Sequence, residues 1–312
     1  MENDSLKYIR RLDVEHIKQA MSQSHVLWGE GASLEERTSF LLKKLGLFGP
    51  DIFYMSGMIS PSGELVSSMK RYYFDLLVDQ KKVKAIGLGA IFTDPNKRGK
   101  GHGAELIKRV LEEANQKESC QAAFLYSDIN PAFYQQFGFE AFPAQRWSLD
   151  PRQSTSGQIL ETREAQSTDL DQLLDWYELG WGAKKIRPCR NRETWSLFRE
   201  INHLEPDRIL INNYMPVGYF TYGWNAVQKT LILAECFVLK GNEQWAFNSV
   251  LKLSQYYQAE KIVGWGGSES LFSNLVRIEF RSNSVPMLKL FSEKILKKTN
   301  ENDFYFGIAD HF

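Results

Sequence analysis

Residues 98–103 read Arg-Gly-Lys-Gly-His-Gly, and this stretch decides the fold because of what lies on either side of it. The apolar run at residues 85–93 precedes it and predicts a buried strand. From Gly103 to about Lys117, apolar residues recur at helical spacing, which predicts an amphipathic helix. Glycines at such a junction let the backbone turn tightly, and the first turn of a helix carries unpaired N–H donors and a partial positive charge. The sequence therefore predicts a phosphate-binding turn between a strand and a helix.

The spacing of the glycines indicates which kind of phosphate ligand this turn binds. It departs from the dinucleotide pattern, and it lacks the Gly-Lys-Ser/Thr ending of nucleoside triphosphate loops. Instead, Arg98 is followed after two residues by Gly101 and after one more by Gly103. This order resembles the pyrophosphate-binding signature of the GNAT acyltransferase superfamily, and the Phe-Thr-Asp-Pro at residues 92–95 resembles its common lead-in. A steric strand–helix turn with a solvated basic rim is the alternative for this motif taken alone.

A second motif follows about thirty residues further on. A short predicted strand at residues 122–126 leads into residues 133–139, which read Phe-Tyr-Gln-Gln-Phe-Gly-Phe. The aromatic–tyrosine pair, three residues and then Gly-Phe resemble the late motif of the same superfamily, whose tyrosine faces the cofactor sulfur. Tyr134 is therefore the candidate general acid for the departing thiolate. A core tyrosine with a satisfied hydroxyl is the alternative.

The resemblance covers residues 5–150 strongly and the remainder only faintly. It implies an α/β chain with the GNAT fold, a mixed sheet flanked by helices, and acetyl-CoA as the cofactor. It also implies that the sheet splays after the strand at residues 85–93, so that the open backbone edge pairs with the pantetheine amides. Superfamily members often have an asparagine where this chain has Ser127 and Asp128. The residues that the resemblance assigns to cofactor binding are Ile91, Phe92, Thr93, Arg98, Gly99, Lys100, Gly101, His102, Gly103, Ala104, Ser127 and Asp128.

The acceptor side is less defined by the sequence. Acceptor pockets in this superfamily often lie in the loop between the first two helices, which here holds Trp28 and Glu30. His25 and Glu30 are candidates for the base, and an ordinary surface loop with a packing tryptophan is the alternative. The chain is also similar to the enhanced-intracellular-survival aminoglycoside acetyltransferases, in which the terminal carboxylate acts as a base. That similarity adds Phe312 to the candidate site.

The C-terminal half repeats the order strand, loop, helix, strand over residues 230–265, as an internal duplication would. Its loop at residues 240–243 keeps one glycine and places Glu243 where a pyrophosphate would sit. A carboxylate there would abolish phosphate affinity. We therefore predict a catalytic domain at residues 1–150, closed by a strand at residues 142–149, and a degenerate GNAT-like α/β domain without a cofactor site at residues 158–312. An unrelated α/β domain is the alternative.

Bulk properties narrow the class of protein. The chain of 312 residues exceeds the usual size of a single core, which favours two domains. Its 38 lysines and arginines balance 38 aspartates and glutamates, which argues against nucleic acid or an anionic membrane as the main partner. The three cysteines lie far apart without metal-ligand spacing, so we expect no metal and a reducing, cytoplasmic location.

These observations together predict an acetyl-CoA-dependent N-acetyltransferase that transfers the acyl group directly to the primary amine of a small molecule. Residues 93–129 also resemble fungal enzymes that acetylate free lysine, so an amino acid, a polyamine or an aminoglycoside is the expected acceptor. A protein lysine or N-terminal acetyltransferase is one alternative, and a non-catalytic acyl-CoA-binding regulatory module is another. The sequence leaves the acyl chain length, the base and a homo-oligomeric state open.

Overall fold

The computed structural model describes residues 6–29, 31–152, 157–266, 276–292 and 303–308. These residues form two mixed sheets flanked by helices, as the sequence predicts. The helices are α1 (Val14–Trp28), α2 (Leu34–Phe48), α3 (His102–Gln116), α4 (Ala132–Gln135), α5 (Leu170–Trp181), α6 (Arg192–Ile201) and α7 (Glu243–Tyr256), and short 3-10 turns lie at Pro95–Lys97 and Ser167–Asp169. Within the described ranges, no helix has both the length and the apolar composition that crossing a bilayer requires.

The first sheet holds the two motifs that define the candidate site. Its strands are β1 (Lys7–Ile9), β2 (Phe53–Ile59), β3 (Leu65–Val78), β4 (Lys81–Thr93), β5 (Ala122–Ser127), β6 (Glu140–Ala141), β9 (Ile186–Cys189) and β15 (Val285–Leu290). The strands β1 to β4 form an antiparallel series, and β4 pairs in parallel with β5. The strand β15 lies between β5 and β6, and β9 pairs with β3.

Helices cover both faces of this sheet because each presents an apolar stripe to it. The helix α3 buries Leu106, Ile107, Val110, Leu111 and Ala114 against one face, which confirms the predicted amphipathic helix. The helices α1 and α2 pack on the opposite face. Ser33 begins α2 with a capping box, since the Glu36 N–H donates to Ser33 Oγ at 3.2 Å and the Ser33 N–H donates to Glu36 Oε2 at 2.8 Å.

The second sheet repeats the plan of the first. Its strands are β7 (Gln145–Leu149), β8 (Glu161–Glu164), β10 (Arg208–Asn212), β11 (Met215–Asn225), β12 (Thr230–Val238), β13 (Lys261–Trp265) and β14 (Arg277–Phe280). The strands β10, β11 and β12 are antiparallel, and β12 leads through α7 into the parallel strand β13. This is the same order as β2, β3, β4, α3 and β5, so the predicted second GNAT-like α/β unit is confirmed.

The two sheets exchange strands, which the sequence did not predict. The strand at residues 142–149, predicted to close the first sheet, is instead β7 of the second sheet, where it pairs with β13 and β14. The position beside β5 is taken by β15 from the C-terminal half. Burial explains the choice, because Trp147 packs into the second core and Met287 into the first. The predicted domain ranges 1–150 and 158–312 therefore do not coincide with the two sheets.

Candidate active site

The strands β4 and β5 run side by side and then part. Their parallel pairing extends from Ala85 opposite Ala122 to Leu88 opposite Leu125, although β4 continues to Thr93. On its other edge, β4 stays paired with β3 through Thr93. Among the described strands, nothing pairs with the edge of residues 89–93 that faces β5. This confirms the expected splay, and such an open edge can bind an extended ligand by adding it as a strand.

A bulge at Ala90 bends β4 at the point where the strands part. Ala90 has a φ of 45°, in the left-handed region that side chains other than glycine rarely adopt. Two residues of β4 lie opposite one of β3 here, because Gly89 pairs with Lys70 and Phe92 pairs with Ser68. Bulges redirect side chains and often lie beside active sites. The sequence analysis missed this bulge, and the glycines on either side of Leu88 were its only local signal.

The glycine loop after β4 presents free N–H groups at the start of α3. Gly99 and Gly101 both have a φ of 79°, and Gly101 caps α3 without a side-chain hydrogen bond. In the part of the chain that the structure describes, the N–H groups of residues 99–104 bond to no backbone acceptor, whereas the Glu105 N–H donates to the Gly101 carbonyl. Such an array at a helix N-terminus suits a phosphate group.

The Arg98 N–H is not one of the free N–H groups of this loop. The Arg98 N–H donates to the Pro95 carbonyl at 3.4 Å. Its Nε donates to the Thr93 carbonyl at 3.1 Å, and its guanidinium lies 5.6 Å from the centre of the Phe92 ring. The side chain therefore ties the loop to the end of β4. Gly103 lets the start of α3 lie close to the end of β4, because a Cβ atom there would lie 3.0 Å from Thr93 Oγ1.

Tyr134 lies on the same face of the sheet as α3. It belongs to α4, its ring packs against Phe133 and Phe139, and its side chain is 7% exposed. Ile91 and Ala104 pack against the same apolar cluster, so the tyrosine, the open strand and the glycine loop share one surface. The Tyr134 hydroxyl makes no hydrogen bond with a described residue. Burial and the nearby Asp128 carboxylate raise the pKa of Tyr134 to about 12, so the hydroxyl keeps its proton at neutral pH.

Ser127 and Asp128 use their side chains within the protein. Ser127 Oγ donates to the Ile129 carbonyl at 2.8 Å. Asp128 Oδ1 accepts from the N–H of Ser284 at 2.9 Å and from its hydroxyl at 3.0 Å. These bonds hold the turn that leads into β15, and a contact of either side chain with a cofactor stays a prediction.

A cavity of about 1350 Å³ lies on the opposite face of the sheet, bounded by α1, α2 and β3 and by the turn between β11 and β12. Trp28 lines it, as the sequence analysis expected of an acceptor pocket, and so does Trp224 from the second unit. Ile308 also lines it. The remaining acceptor-side candidates, Glu30 and Phe312, lie outside the described residues. His25 accepts a hydrogen bond at Nδ1 from Arg37 Nη1 at 3.2 Å.

The charged residues of this cavity were not singled out from the sequence. Arg37, Lys44 and Lys70 line its wall, and among the described lining residues Glu36 is the one carboxylate. The signal for Lys70 lay in the sequence, because Lys70 and Arg71 interrupt an otherwise largely apolar strand at residues 65–78. Successive strand residues point to opposite faces, so one of the two had to face each helix layer.

The loop of the second unit differs from the glycine loop because it carries its own carboxylate. The Gly241 N–H donates to the Glu243 carboxylate at 2.7 Å, so this carboxylate occupies a donor of the loop. The strands β12 and β13 pair only from Thr230 to Ile232 on β12. The splay is therefore repeated, but the anion-binding position holds a protein carboxylate, as predicted for Glu243.

Comparisons with known proteins agree with this geometry. Residues 53–142 match the Acetyltransferase (GNAT) domain family, a range that begins with β2 and ends just after β6. It therefore contains the open strand, the glycine loop and Tyr134. No curated protein matches the chain.

Several solved structures share the fold across both sheets. A GCN5-related N-acetyltransferase from Anabaena variabilis superposes with a TM-score of 0.70 at 16% identity, covering 92% of this chain and 73% of that one. A probable N-acyltransferase from Enterococcus faecalis gives a TM-score of 0.69 at 15% identity, covering 92% and 72%. The N-myristoyltransferase of Saccharomyces cerevisiae with bound myristoyl-CoA gives 0.60 at 11% identity, covering 93% and 85%.

The family match and the fold agree on one assignment. The matched residues contain the splayed strands and the loop on which the sequence motifs depend, and the structural likeness extends over both sheets. Residues 53–142 therefore form an acetyltransferase (GNAT) domain, which supports an acyltransferase activity, and the likeness of both sheets to the solved structures shows the fold.

Proposed function

We propose that the chain transfers an acetyl group from acetyl-CoA directly to the primary amine of a small molecule. One observation carries the proposal: the unpaired edge of β4 lies between the glycine loop and Tyr134 on one face and the cavity beside Trp28 on the other. A thioester carrier along that edge and an amine in that cavity would meet where β4 bends. Holding two reactants in line in this way supplies much of the rate of acyl transfer.

The residues of the first sheet fit acetyl-CoA. The free N–H groups of residues 99–104 and the exposed Lys100 suit its pyrophosphate, and the backbone of residues 89–93 suits the amides of its pantetheine arm. When bound, acetyl-CoA supplies an activated acyl thioester. Members of the GNAT family use this donor, and the yeast N-myristoyltransferase structure holds a related thioester, myristoyl-CoA.

Tyr134 holds the proton for the leaving group. Its hydroxyl is protonated at neutral pH and engaged by no described residue, so Oη is free to donate to the departing sulfur. Because a thiol has a pKa near 8.5, below that of the tyrosine, full transfer is uphill, and partial donation in the transition state is the role we assign to it.

The base that receives the proton of the amine belongs to the acceptor side. We keep Glu30 and Phe312 as acceptor-side candidates, both outside the described residues. His25 stays a candidate, although its Nδ1 already accepts a hydrogen bond from Arg37.

The shape of the cavity favours a small acceptor. Residues of both units line it, and its volume of about 1350 Å³ leaves room for a small molecule, since pockets for such ligands measure roughly 300–1,000 Å³. The second unit contributes walls, and we propose that it binds no cofactor because Glu243 occupies its loop.

The test is a measurement of thiol release from acetyl-CoA with amino acids, polyamines, aminoglycosides and a lysine-containing peptide, alongside calorimetric titration of acetyl-CoA. We expect acetyl-CoA binding and amine-dependent release with a small molecule. Release with the peptide alone would indicate a protein acetyltransferase. Binding without release on any amine would indicate a regulatory module.

A further inference from the structure

Among the residues that the structure describes, the wall of the acceptor cavity carries more positive than negative charge. Arg37, Lys44 and Lys70 face it, and Glu36 is the one acidic side chain among the described lining residues. The Glu36 carboxylate is already engaged, because it accepts the Ser33 N–H at the start of α2. The proposed transfer to an amine needs no such excess of cations, so the excess requires another explanation.

Lys70 is the cation of this wall with uncommitted donors. It forms no hydrogen bond or ion pair with any residue that the structure describes. By contrast, Lys44 Nζ donates to the Glu200 carbonyl at 2.6 Å and lies 3.6 Å from the centre of the Phe40 ring. A half-buried ammonium without a described counter-charge is disfavoured, because both lost hydration and nearby like charges act against its charged form. Burial and the neighbouring Arg37 charge accordingly lower the pKa of Lys70 to about 8.

The position of Lys70 relates it to the reacting end of β4. Its Cα pairs with Gly89, the residue before the bulge at Ala90. Lys70 and Tyr72 lie two residues apart on β3, and both line the cavity. Paired Cα atoms in antiparallel strands lie about 4.5–5.5 Å apart, so the backbone of Lys70 lies beside the place where β4 and β5 part, and its side chain lines the cavity.

We propose that the acceptor amine also carries an anionic group, such as the carboxylate of an amino acid, and that Lys70 binds this group. The inference rests on the proposed function and narrows its acceptor class. An anion would supply the counter-charge that Lys70 lacks, and Arg37 would add to the attraction. Polyamines and aminoglycosides, which carry several positive charges, would be repelled by the same wall. Carboxylate and phosphate groups satisfy the same donors, so both enter the test.

The experiment compares matched acceptors with and without the carboxylate group. Thiol release from acetyl-CoA is measured with amino acids, their α-amides and their decarboxylated amines, for example lysine, lysinamide and cadaverine, and with phosphoethanolamine as the phosphate arm. We expect kcat/KM for the anionic member of the best set to exceed that of its neutral or cationic partners at least tenfold. Equal or better use of the amides and polyamines would overturn this inference and leave the N-acetyltransferase proposal standing.

A Lys70→Met variant shows whether Lys70 causes the preference. It should lose at least tenfold in kcat/KM for the anionic acceptor and keep its acetyl-CoA affinity. Lys70→Arg should retain most of the preference. Lys18→Met, which removes an exposed charge on α1 outside the cavity, should change neither quantity. An unchanged preference in Lys70→Met would contradict the assignment, and thermal melting shows whether each variant is folded.

If no amine releases thiol, the transfer proposal fails and a binding arm still decides this inference. The protein with coenzyme A is then titrated calorimetrically with the same amino acids and amides. Tighter binding of the acids, lost in Lys70→Met, would support the anion site. Equal binding of acids and amides would refute it.

Discussion

The Trp28 ring lies edge-on against Phe92, with the ring centroids 6.1 Å apart. Trp28 ends α1 and lines the cavity, whereas Phe92 lies just past the bulge, in the segment of β4 that has lost its pairing with β5. This contact joins the wall of the acceptor cavity to the strand that we assign to the acyl donor. An acceptor held beside Trp28 therefore lies next to the reacting end of that strand.

Replacing Trp28 should impair use of the acceptor more than binding of the donor. Removing a large apolar contact costs about 1.5–3 kcal/mol, so we expect Trp28→Ala to raise the acceptor KM about 10- to 100-fold. Acetyl-CoA affinity should change less than threefold. Steady-state kinetics and calorimetry measure the two effects, and Val26→Ala, at an exposed position of the same helix, is the control. Equal loss of both affinities would argue against an acceptor role.

Removing the Tyr134 hydroxyl should slow turnover. Loss of a general acid typically costs about 10²–10⁴-fold, and we expect this range for Tyr134→Phe with little change in acetyl-CoA affinity. Tyr222→Phe, which removes a buried hydroxyl in the second unit, should leave turnover unchanged. Normal turnover in Tyr134→Phe would exclude the tyrosine from the mechanism.

A side chain at Gly101 should weaken acetyl-CoA binding. Its φ of 79° disfavours an L-residue by about 1 kcal/mol, and any shift of the loop moves the N–H groups away from the pyrophosphate. We expect Gly101→Ala to lower acetyl-CoA affinity at least tenfold in a calorimetric titration.

The control for this loop variant is Gly241→Ala. Gly241 has a φ of 93° and open space where a Cβ would lie, so a side chain there imposes similar strain in the loop of the second unit. Its stability should fall as in Gly101→Ala, with unchanged acetyl-CoA affinity. Matching affinity losses in both variants would mean that the loop effect is not specific.

The affinity of Lys70 for an anionic ligand should depend on pH, in a direction that follows from the charges around it. The N-acetylated product of the best amino acid keeps its carboxylate ionised above pH 6, so its affinity reports the protein charges. The cavity that Lys70 lines also holds other charged or titratable side chains, namely Arg37, Lys44, Glu36 and His203. Burial and the Lys70 charge lower the pKa of Lys44 to about 7, so this cation loses its charge first.

Raising the pH should therefore weaken binding of that product. A bound anion favours charged Lys70 and raises its pKa above the free value of about 8, so affinity falls by up to about tenfold per pH unit above 8. Calorimetry between pH 6 and 10 measures this, and Lys70→Met should bind the product more weakly at pH 7 and show a smaller fall in affinity above pH 8. Affinity that stays constant or rises in the wild-type protein would contradict the anion site.

The ion cluster on the α3 face should stabilise the first sheet. Arg71 is fully buried and donates to Glu113 and Glu118, each at 2.7 Å. Arg71→Met removes the buried cation from both carboxylates, which keep Arg10 and tyrosine hydroxyls as partners, so we expect a loss of about 3 kcal/mol in the free energy of unfolding by urea. The exposed pair of Arg109 and Glu105 is the control, and its loss should have a far smaller effect. A similar small loss for Arg71→Met would show that Arg71 contributes little.

The segment from β4 to β5 was predictable because its information is local. The apolar run, the paired glycines and the helical spacing of residues 103–117 each act within a few residues, and the structure forms a strand, a loop and a helix in those places. The Ser33 capping box was predictable for the same reason. Tyr134 lies on the same face of the first sheet as α3 because α4 follows β5 after a short turn.

The partners of the strands were not predictable in the same way. The run at residues 145–149 forms a strand as expected, but the choice between the two sheets depends on long-range packing of Trp147 against the second core. β15 beside β5 pairs residues far apart in the chain. The cavity is likewise assembled from distant segments, so the charge excess around Lys70 emerges only from the fold.

A crystal structure of this protein with coenzyme A tests most directly whether the cofactor binds along β4. We expect the diphosphate on the N–H groups of residues 99–104, the pantetheine arm paired with residues 89–93, and the sulfur within hydrogen-bonding distance of Tyr134 Oη. A diphosphate bound elsewhere, or a sulfur remote from Tyr134, would contradict this expectation.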